Sequence, residues 1–255
     1  MMLKYIFFSL LFFASNVWGQ VRYIDYPSPF HPTIGSSGMV VSQNQASSDI
    51  GIEILNMGGN AIDAAVAVGF SLATTLPRAG NLGGGGFMLI YLSDEQKTIA
   101  VDFRSSAPKG ISEDDFLFLK NNYDQRRFGY KASGVPGTVA GLLQTHQRYG
   151  KLPLKKILQP VILQASKGIL VTYDLNQAIG SAHQINLDEE SKKIYYQNES
   201  PVTEHALMKR PDLAWTFREI ARKGEDAFYK GSIAKKIVKA MQQNGGYITR
   251  EDLED

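Results

Sequence analysis

The chain has 255 residues, 44% hydrophobic and 20% charged, which is ordinary globular usage and excludes collagen-like repeats and bulk disorder. Lys and Arg number 27 against 25 Asp and Glu, with no basic cluster interleaved with aromatics, so the charge pattern argues against a nucleic-acid partner. No cysteine is present, which removes a thiol nucleophile, a redox pair and any thiolate zinc site together.

The first nineteen residues, MMLKYIFFSLLFFASNVWG, set Lys4 before an apolar run from Tyr5 to Ala14 and short residues ahead of a cut after Gly19. The run is too short to span a bilayer and reads as a secretory signal, with an uncleaved anchor as the alternative. Residues 20–255 are then the exported chain, periplasmic or secreted, with no membrane contact after cleavage. Residues 20–38 hold three prolines and read as an extended leader to a first strand at Met39–Ser42.

Apolar residues at helical spacing predict a helix over Ala46–Met57, closed by Gly58 in the left-handed C′ position. Asn60 caps a second helix, Ala61–Thr75, with the Asp63 carboxylate in the first turn, where the helix dipole favours it. That helix is nearly free of charge on every face and should be buried all round. Two strands follow, Phe87–Leu92 and Thr98–Phe103, joined by the five polar residues 93–97. Phe87–Leu92 lacks polar alternation, so it is expected to be covered on both faces. Helices are predicted over Thr138–Tyr149, over Leu154–Lys167 with an interruption at Pro160, over Asp212–Lys223 and over Ser232–Gln243. Gly150, Gly168 and Gly245 are their stops. Strands followed by a run of helices favour an α+β fold with segregated layers.

Four consecutive glycines, Gly83–Gly86, open the first strand. Glycine is costly to order, so such a run belongs where the backbone must go where a Cβ cannot. A phosphate cradle needs strand, glycine loop and helix in that order, and here the loop opens a strand. Two readings stay open: a bend that lets two backbones pack closely, or a row of main-chain donors left bare for a ligand. Symmetric closure of the hairpin puts Leu92 opposite Thr98, Phe87 opposite Phe103 and Gly86 opposite Arg104. The Arg104 guanidinium then emerges beside unshielded N–H groups, a combination suited to a carboxylate. The plainer alternative is a solvated arginine, or one paired with Asp102.

Other chemistries are poorly served. His31, His146, His183 and His205 are scattered without metal-binding spacing, and His146 reads as a surface or interhelical residue. No GxSxG elbow occurs, and the acids at Glu113–Asp115 and Glu189–Glu190 read as helix starts or polar loops. No metal and no cofactor are expected.

Six stretches together resemble one family, the γ-glutamyltransferases, also called glutathione hydrolases. They are GGNAIDAAVAVGFSLATTLP (58–77), GNLGGGGFMLIY (80–91), VDFRSSAP (101–108), ASGVPGTVAGLLQTHQRYGKLPL (132–154), AFYKGSIA (227–234) and NGGYITREDL (244–253). They occur in the family's order and span nearly all of the exported chain. The resemblance implies an αββα sandwich of the N-terminal-nucleophile hydrolase type, of which residues 20–255 supply the N-terminal part of the large subunit. It also implies a proenzyme that cuts itself in two, exposing a threonine that attacks the γ-glutamyl amide of glutathione. The glutamyl group then passes to water or to an amino-acid or peptide acceptor.

Arg104, within VDFRSSAP, matches the family arginine that binds the α-carboxylate of the glutamyl group. The processing threonine, and the serines, acid and glycine pair that complete the family site, have no match here; Thr138 and Thr249 read as helix-start residues. By this resemblance the partners are γ-glutamyl compounds such as glutathione, an acceptor, and the small subunit, and the chain by itself is inactive. Residues Asp115 to Tyr130 lack a clear family match. Two alternatives stand beside this reading: a non-catalytic exported module that binds γ-glutamyl or amino-acid ligands, and a cephalosporin-acylase-like member of the superfamily.

Overall fold

An apolar helix needs cover on every side, and residues 61–75 receive most of it from three other helices. The computed structural model describes residues 34–182 and 189–255. The expected signal segment, most of the leader, His31 and His183 lie outside the described residues. Residues 34–38 contain no helix or strand, and residues 39–255 group as one unit.

Met39–Ser42, expected as a strand, is irregular backbone, because no neighbouring strand among the described residues offers it a ladder. Val40 packs on the helical core instead. α1 (Gln45–Asn56) starts at Asn44, whose Oδ1 accepts from the Ala46 N–H at 3.0 Å. It ends in a Schellman turn, with Gly58 N–H bonded to Leu55 O at 3.0 Å, Gly59 N–H bonded to Ile54 O at 3.1 Å, and Gly58 at φ 86°. α2 (Ala61–Thr75) carries a full capping box: Asn60 Oδ1 accepts from Asp63 N–H at 2.9 Å, and the Asp63 carboxylate accepts from Asn60 N–H at 3.0 Å. The same carboxylate is fully buried and also accepts from the N–H groups of Lys151 and Leu152, at 3.0 and 3.1 Å. A residue placed by the sequence for a helix start therefore also fastens a loop some ninety positions away.

β1 (Phe87–Leu92) and β2 (Lys97–Asp102) form an antiparallel hairpin. The loop is one residue shorter than expected: Leu92 pairs with Lys97 and Phe87 with Asp102, with Gln96 at φ 50° closing the tighter turn. Gly86 consequently lies opposite Phe103, the two exchanging N–H···O bonds of 3.3 and 3.0 Å. Met88, Ile90 and Leu92 face the helices together with Ile99 and Val101. Phe87, Leu89 and Tyr91 on the other face are 65%, 78% and 60% exposed. Cover on both faces of β1 was expected; among the described residues only one face is covered.

α3 (Glu113–Asn121) and α4 (Tyr123–Arg127) form a pair of short helices at the surface. α5 (Thr138–Tyr149) and α6 (Leu154–Lys167) have the expected bounds, and α5 and α6 are two of the helices covering α2, α1 being the third. Pro160 does not interrupt α6. It removes a single ladder bond, and the buried Ile157, Leu158, Val161 and Ala165 around it carry the helix through.

β3 (Ile169–Leu170), α7 (Tyr173–Ser181), α8 (Glu189–Tyr195), β4 (Tyr196–Gln197), β5 (Ser200–Pro201) and β6 (Leu207–Met208) gather around a separate small core of Ile169, Val171, Leu175, Ile179, Val202 and Met208. Arg210 joins it to α9 (Pro211–Lys223): the guanidinium donates to both Asp212 oxygens at 3.2 and 2.9 Å and to Tyr195 OH at 3.0 Å. α9 lies along α6 and sets Phe217 edge-on to Phe70 of α2, with ring centroids 6.0 Å apart. α10 (Glu225–Tyr229), α11 (Ser232–Gln243) and α12 (Arg250–Glu254) follow.

Candidate functional site

Phe103 accounts for much of the glycine run. A Cβ on Gly85 would lie 2.6 Å from the Phe103 carbonyl oxygen and 2.3 Å from the Ser105 nitrogen. On Gly137 it would lie 2.1 Å from the same carbonyl oxygen, and on Gly141 2.1 Å from the Phe103 ring. The chain just beyond β2 is thus pinched between the glycine run and the start of α5, where a side chain has no room. Gly84 O accepts from the N–H groups of Gly137 and Thr138 at 2.8 and 3.0 Å, closing a helix start whose cap residue has no side chain. Of the two readings of the glycines, close backbone packing is what Gly85 and Gly86 realise, and the Gly86 N–H is taken up by Phe103.

Arg104 leaves this pinch opposite Gly85, one residue from the expected partner because the hairpin loop is shorter. Its main-chain N–H donates to Asp102 Oδ1 at 2.9 Å, so Asp102 holds the backbone, and the guanidinium has no hydrogen bond or ion pair among the described residues. Arg104, an exposed residue, lines a cleft of about 430 Å³ with Lys109, Lys230, Gln144 and Tyr229, and the acids Glu225, Asp226, Asp252, Glu254 and Asp255 line the same cleft. The two lysines there are occupied: Lys109 pairs with Asp255 and, at 3.5 Å, with Glu251, while Lys230 pairs with Asp226 at 3.2 Å. Among the described residues Arg104 is the cleft cation left available to an anion.

The walls of the cleft are held by contacts remote in sequence. Tyr229 OH donates to Pro136 O at 2.8 Å and accepts from Ala140 N–H at 3.0 Å, fixing α10 against the start of α5. Burial pushes its pKa up to about 12, so the hydroxyl keeps its proton. Val135 N–H donates to Ser106 O at 2.9 Å, and Lys109 N–H donates to Asp252 Oδ1 at 2.8 Å. Sequence reasoning missed Tyr229 and Asp252. The spacing Thr249-x-x-Asp252 is a capping-box signal that marks a helix start, but nothing local reveals the second acceptor role of Asp252.

The remaining candidates are structural or apart from the cleft. His146 Nε2 donates to Leu152 O at 2.8 Å and lies 3.5 Å from Asp63, the second of the two roles, surface or interhelical, expected of it. His205 is exposed. Thr138 opens α5 and Thr249 caps α12, while Glu113–Asp115 and Glu189–Glu190 open α3 and α8. No group of three or more His, Cys, Asp or Glu among the described residues is placed to hold a metal ion, and none of their helices is long and apolar enough to cross a membrane.

The gamma-glutamyltranspeptidase family model matches residues 47–255. The glutathione hydrolase proenzyme of Escherichia coli K12 is 43% identical over 228 residues, which cover 88% of this chain and 39% of that relative. The gamma-glutamyltranspeptidase structure of Helicobacter pylori superposes with a TM-score of 0.82 at 37% identity, covering 88% of this chain and 65% of that one. A cephalosporin acylase from Bacillus halodurans gives 0.81 at 26% identity, covering 91% and 44%. The fold is that of the N-terminal-nucleophile hydrolases, an α+β architecture to which the described residues contribute mainly helices. Within that class, the chain belongs to the gamma-glutamyltranspeptidase family. It spans about two fifths of the length of the curated relatives it matches.

Proposed function

We propose that this chain supplies the donor-binding part of a glutathione hydrolase and γ-glutamyltransferase, with Arg104 gripping the α-carboxylate of the glutamyl group. The observation that carries the reading is an unpaired guanidinium, set on a pinned strand end, in a cleft whose other cations are already engaged. Arginine presents a planar fork of donors that matches both oxygens of a carboxylate, and so fixes the orientation of the donor as well as its position. With the α-end held, the γ-amide extends away from Arg104, toward a threonine nucleophile that belongs to a further segment, the small subunit of the proenzyme. There the threonine hydroxyl attacks the γ-carbonyl, its proton passes to the α-amine of the same residue, and the leaving amine takes up a proton as the amide bond breaks. Water or an amino-acid or peptide acceptor then releases the glutamyl group from the ester.

In this reading the uncovered face of the hairpin, with Phe87, Leu89 and Tyr91, is where the small subunit packs. In the same reading the 255-residue chain by itself is inactive, because the threonine that would attack belongs to the small subunit. Export by residues 1–19 belongs to the same proposal, and mass spectrometry of the secreted or periplasmic product should show a chain beginning near Gln20. Likeness to the Bacillus halodurans acylase supports a second reading, in which the acyl group comes from a β-lactam side chain.

Titration calorimetry of the chain with L-glutamate, glutathione and glutarate separates these readings. Glutamate and glutathione should bind, Arg104→Ala should abolish the heat, and Arg104→Lys should weaken binding about tenfold because a point charge does not reproduce the fork. No heat with glutamate or glutathione would overturn the donor-site reading. Binding of glutarate equal to that of glutamate would favour the acylase.

A further inference from the structure

The segment that carries Arg104 is tied down at every third residue. Phe103 exchanges main-chain hydrogen bonds with Gly86, Ser106 O accepts from Val135 N–H, and Lys109 N–H donates to Asp252 Oδ1. The first two ties run between main chains and persist through most side-chain changes. The third ends on a carboxylate 143 positions later in the sequence.

Asp252 is 7% exposed and is the third residue of α12. Its Oδ2 accepts from Thr249 N–H at 2.8 Å and from Thr249 Oγ1 at 2.7 Å, which completes the helix cap. Capping requires nothing of the second oxygen, which water could satisfy at an ordinary helix start. Here that oxygen is turned inward onto the Lys109 N–H, and Asp252 and Arg104 line one cleft. Burial alone would raise the pKa of Asp252, but the Lys109 and Thr249 N–H groups outweigh it and hold the carboxyl below its ordinary value, so it is ionised at neutral pH.

We infer that Asp252 is a positioning residue for the glutamyl donor: through the Lys109 N–H it fixes the 103–109 segment, so that the Arg104 guanidinium is presented into the cleft. The inference rests on the proposed role of Arg104. A charged acceptor gives a stronger hydrogen bond than a neutral one, and losing it frees the far end of a short segment whose near end bears the binding group. The molecule contains its own control. Asp115 closes the capping box of α3 on Ser112 in the same manner, but its other oxygen accepts from Tyr247 OH at 2.9 Å and touches nothing on the Arg104 segment.

The test compares Asp252→Asn with Asp115→Asn in the full chain, each losing one capping-box carboxylate. The dissociation constant for L-glutamate is expected to rise about tenfold in Asp252→Asn and to stay within about twofold of the unaltered protein in Asp115→Asn, as a misplaced binding group predicts. Asp252→Glu, which keeps the charge, should recover part of the loss. Amide hydrogen exchange supplies a readout that does not need the ligand: Lys109 should exchange faster in Asp252→Asn and unchanged in Asp115→Asn. Equal affinity for glutamate in the two Asn variants, or an unchanged Lys109 exchange rate in Asp252→Asn, overturns the inference while leaving Arg104 in place. If the unaltered chain binds no glutamate, the donor-site reading fails first; faster Lys109 exchange then marks a structural tie only, and the positioning role falls with the reading it rests on.

Discussion

The helical core and the β1–β2 hairpin handle apolar surface in opposite ways. Phe70 and Phe217 meet in a fully buried edge-on pair, enclosed by helices of the same chain. Phe87, Leu89 and Tyr91 belong to an equally apolar segment and face outward. Apolar patterning therefore identifies the residues that need cover, but not whether the same polypeptide provides it. The core around α2 is enclosed by helices of the same chain, whereas among the described residues the sheet leaves one face and its strand edges open to a further layer.

The contrast can be tested by perturbing each region, beginning with the largest effect. Phe217→Ala opens a cavity between α2 and α9 and should lower the unfolding free energy by about 4 kcal/mol in urea denaturation. A loss under about 1 kcal/mol would mean that the core collapses around the gap and is less tightly packed than its burial indicates. Asp63→Ala removes a fully buried carboxylate and leaves the half-buried N–H groups of Asn60, Lys151 and Leu152 without their acceptor, and about 2 kcal/mol should be lost by the same measurement.

A smaller effect is expected from pH. At Asp212 burial works to raise the pKa but the Arg210 guanidinium outweighs it, and Asp252 is likewise held low by its N–H donors. Both are lowered from an ordinary 3.8, so their contribution is complete above that value and is lost as pH falls through the lower folded values. The denaturation midpoint should therefore hold steady from neutral pH to about pH 5 and drop below about pH 4. Removing the titrating carboxylate in Asp212→Asn should shrink that drop.

The smallest effect sharpens the contrast most. Leu89→Lys on the open face should change the stability of this chain by no more than about 0.5 kcal/mol and reduce its aggregation. In a longer polypeptide that covers the hairpin, the same change should be strongly destabilising. A large loss in the 255-residue chain would show that its sheet face is already occupied in solution by another copy.

Local signals were read well from the sequence because their physics is local. Asn60 with Asp63, the Gly58 stop and the bounds of α2, α5, α9 and α11 follow from capping chemistry and 3.6-residue spacing, accurate to within a residue. The hairpin was legible and its register was not, because one residue in the left-handed region, Gln96, shortened the turn. Pro160 shows packing prevailing over a local breaker, and Met39–Ser42 shows that a strand requires a partner as well as a pattern. Arg104 stood out through its neighbours in sequence. The tie between Asp252 and Lys109 and the bonds of Tyr229 did not, since both depend on contacts that only the folded chain brings together.

Phe103 has a consequence for how this family member can change over time. Gly85, Gly137 and Gly141, drawn from two separate stretches, all abut this one residue, its backbone or its ring, so an added methyl at any of them collides with the same obstacle. Single steps are closed off. A descendant that fills Gly141 would have to replace the Phe103 ring with it as a linked pair, whereas at Gly85 and Gly137 the Phe103 carbonyl stays in the way whatever side chain that residue carries.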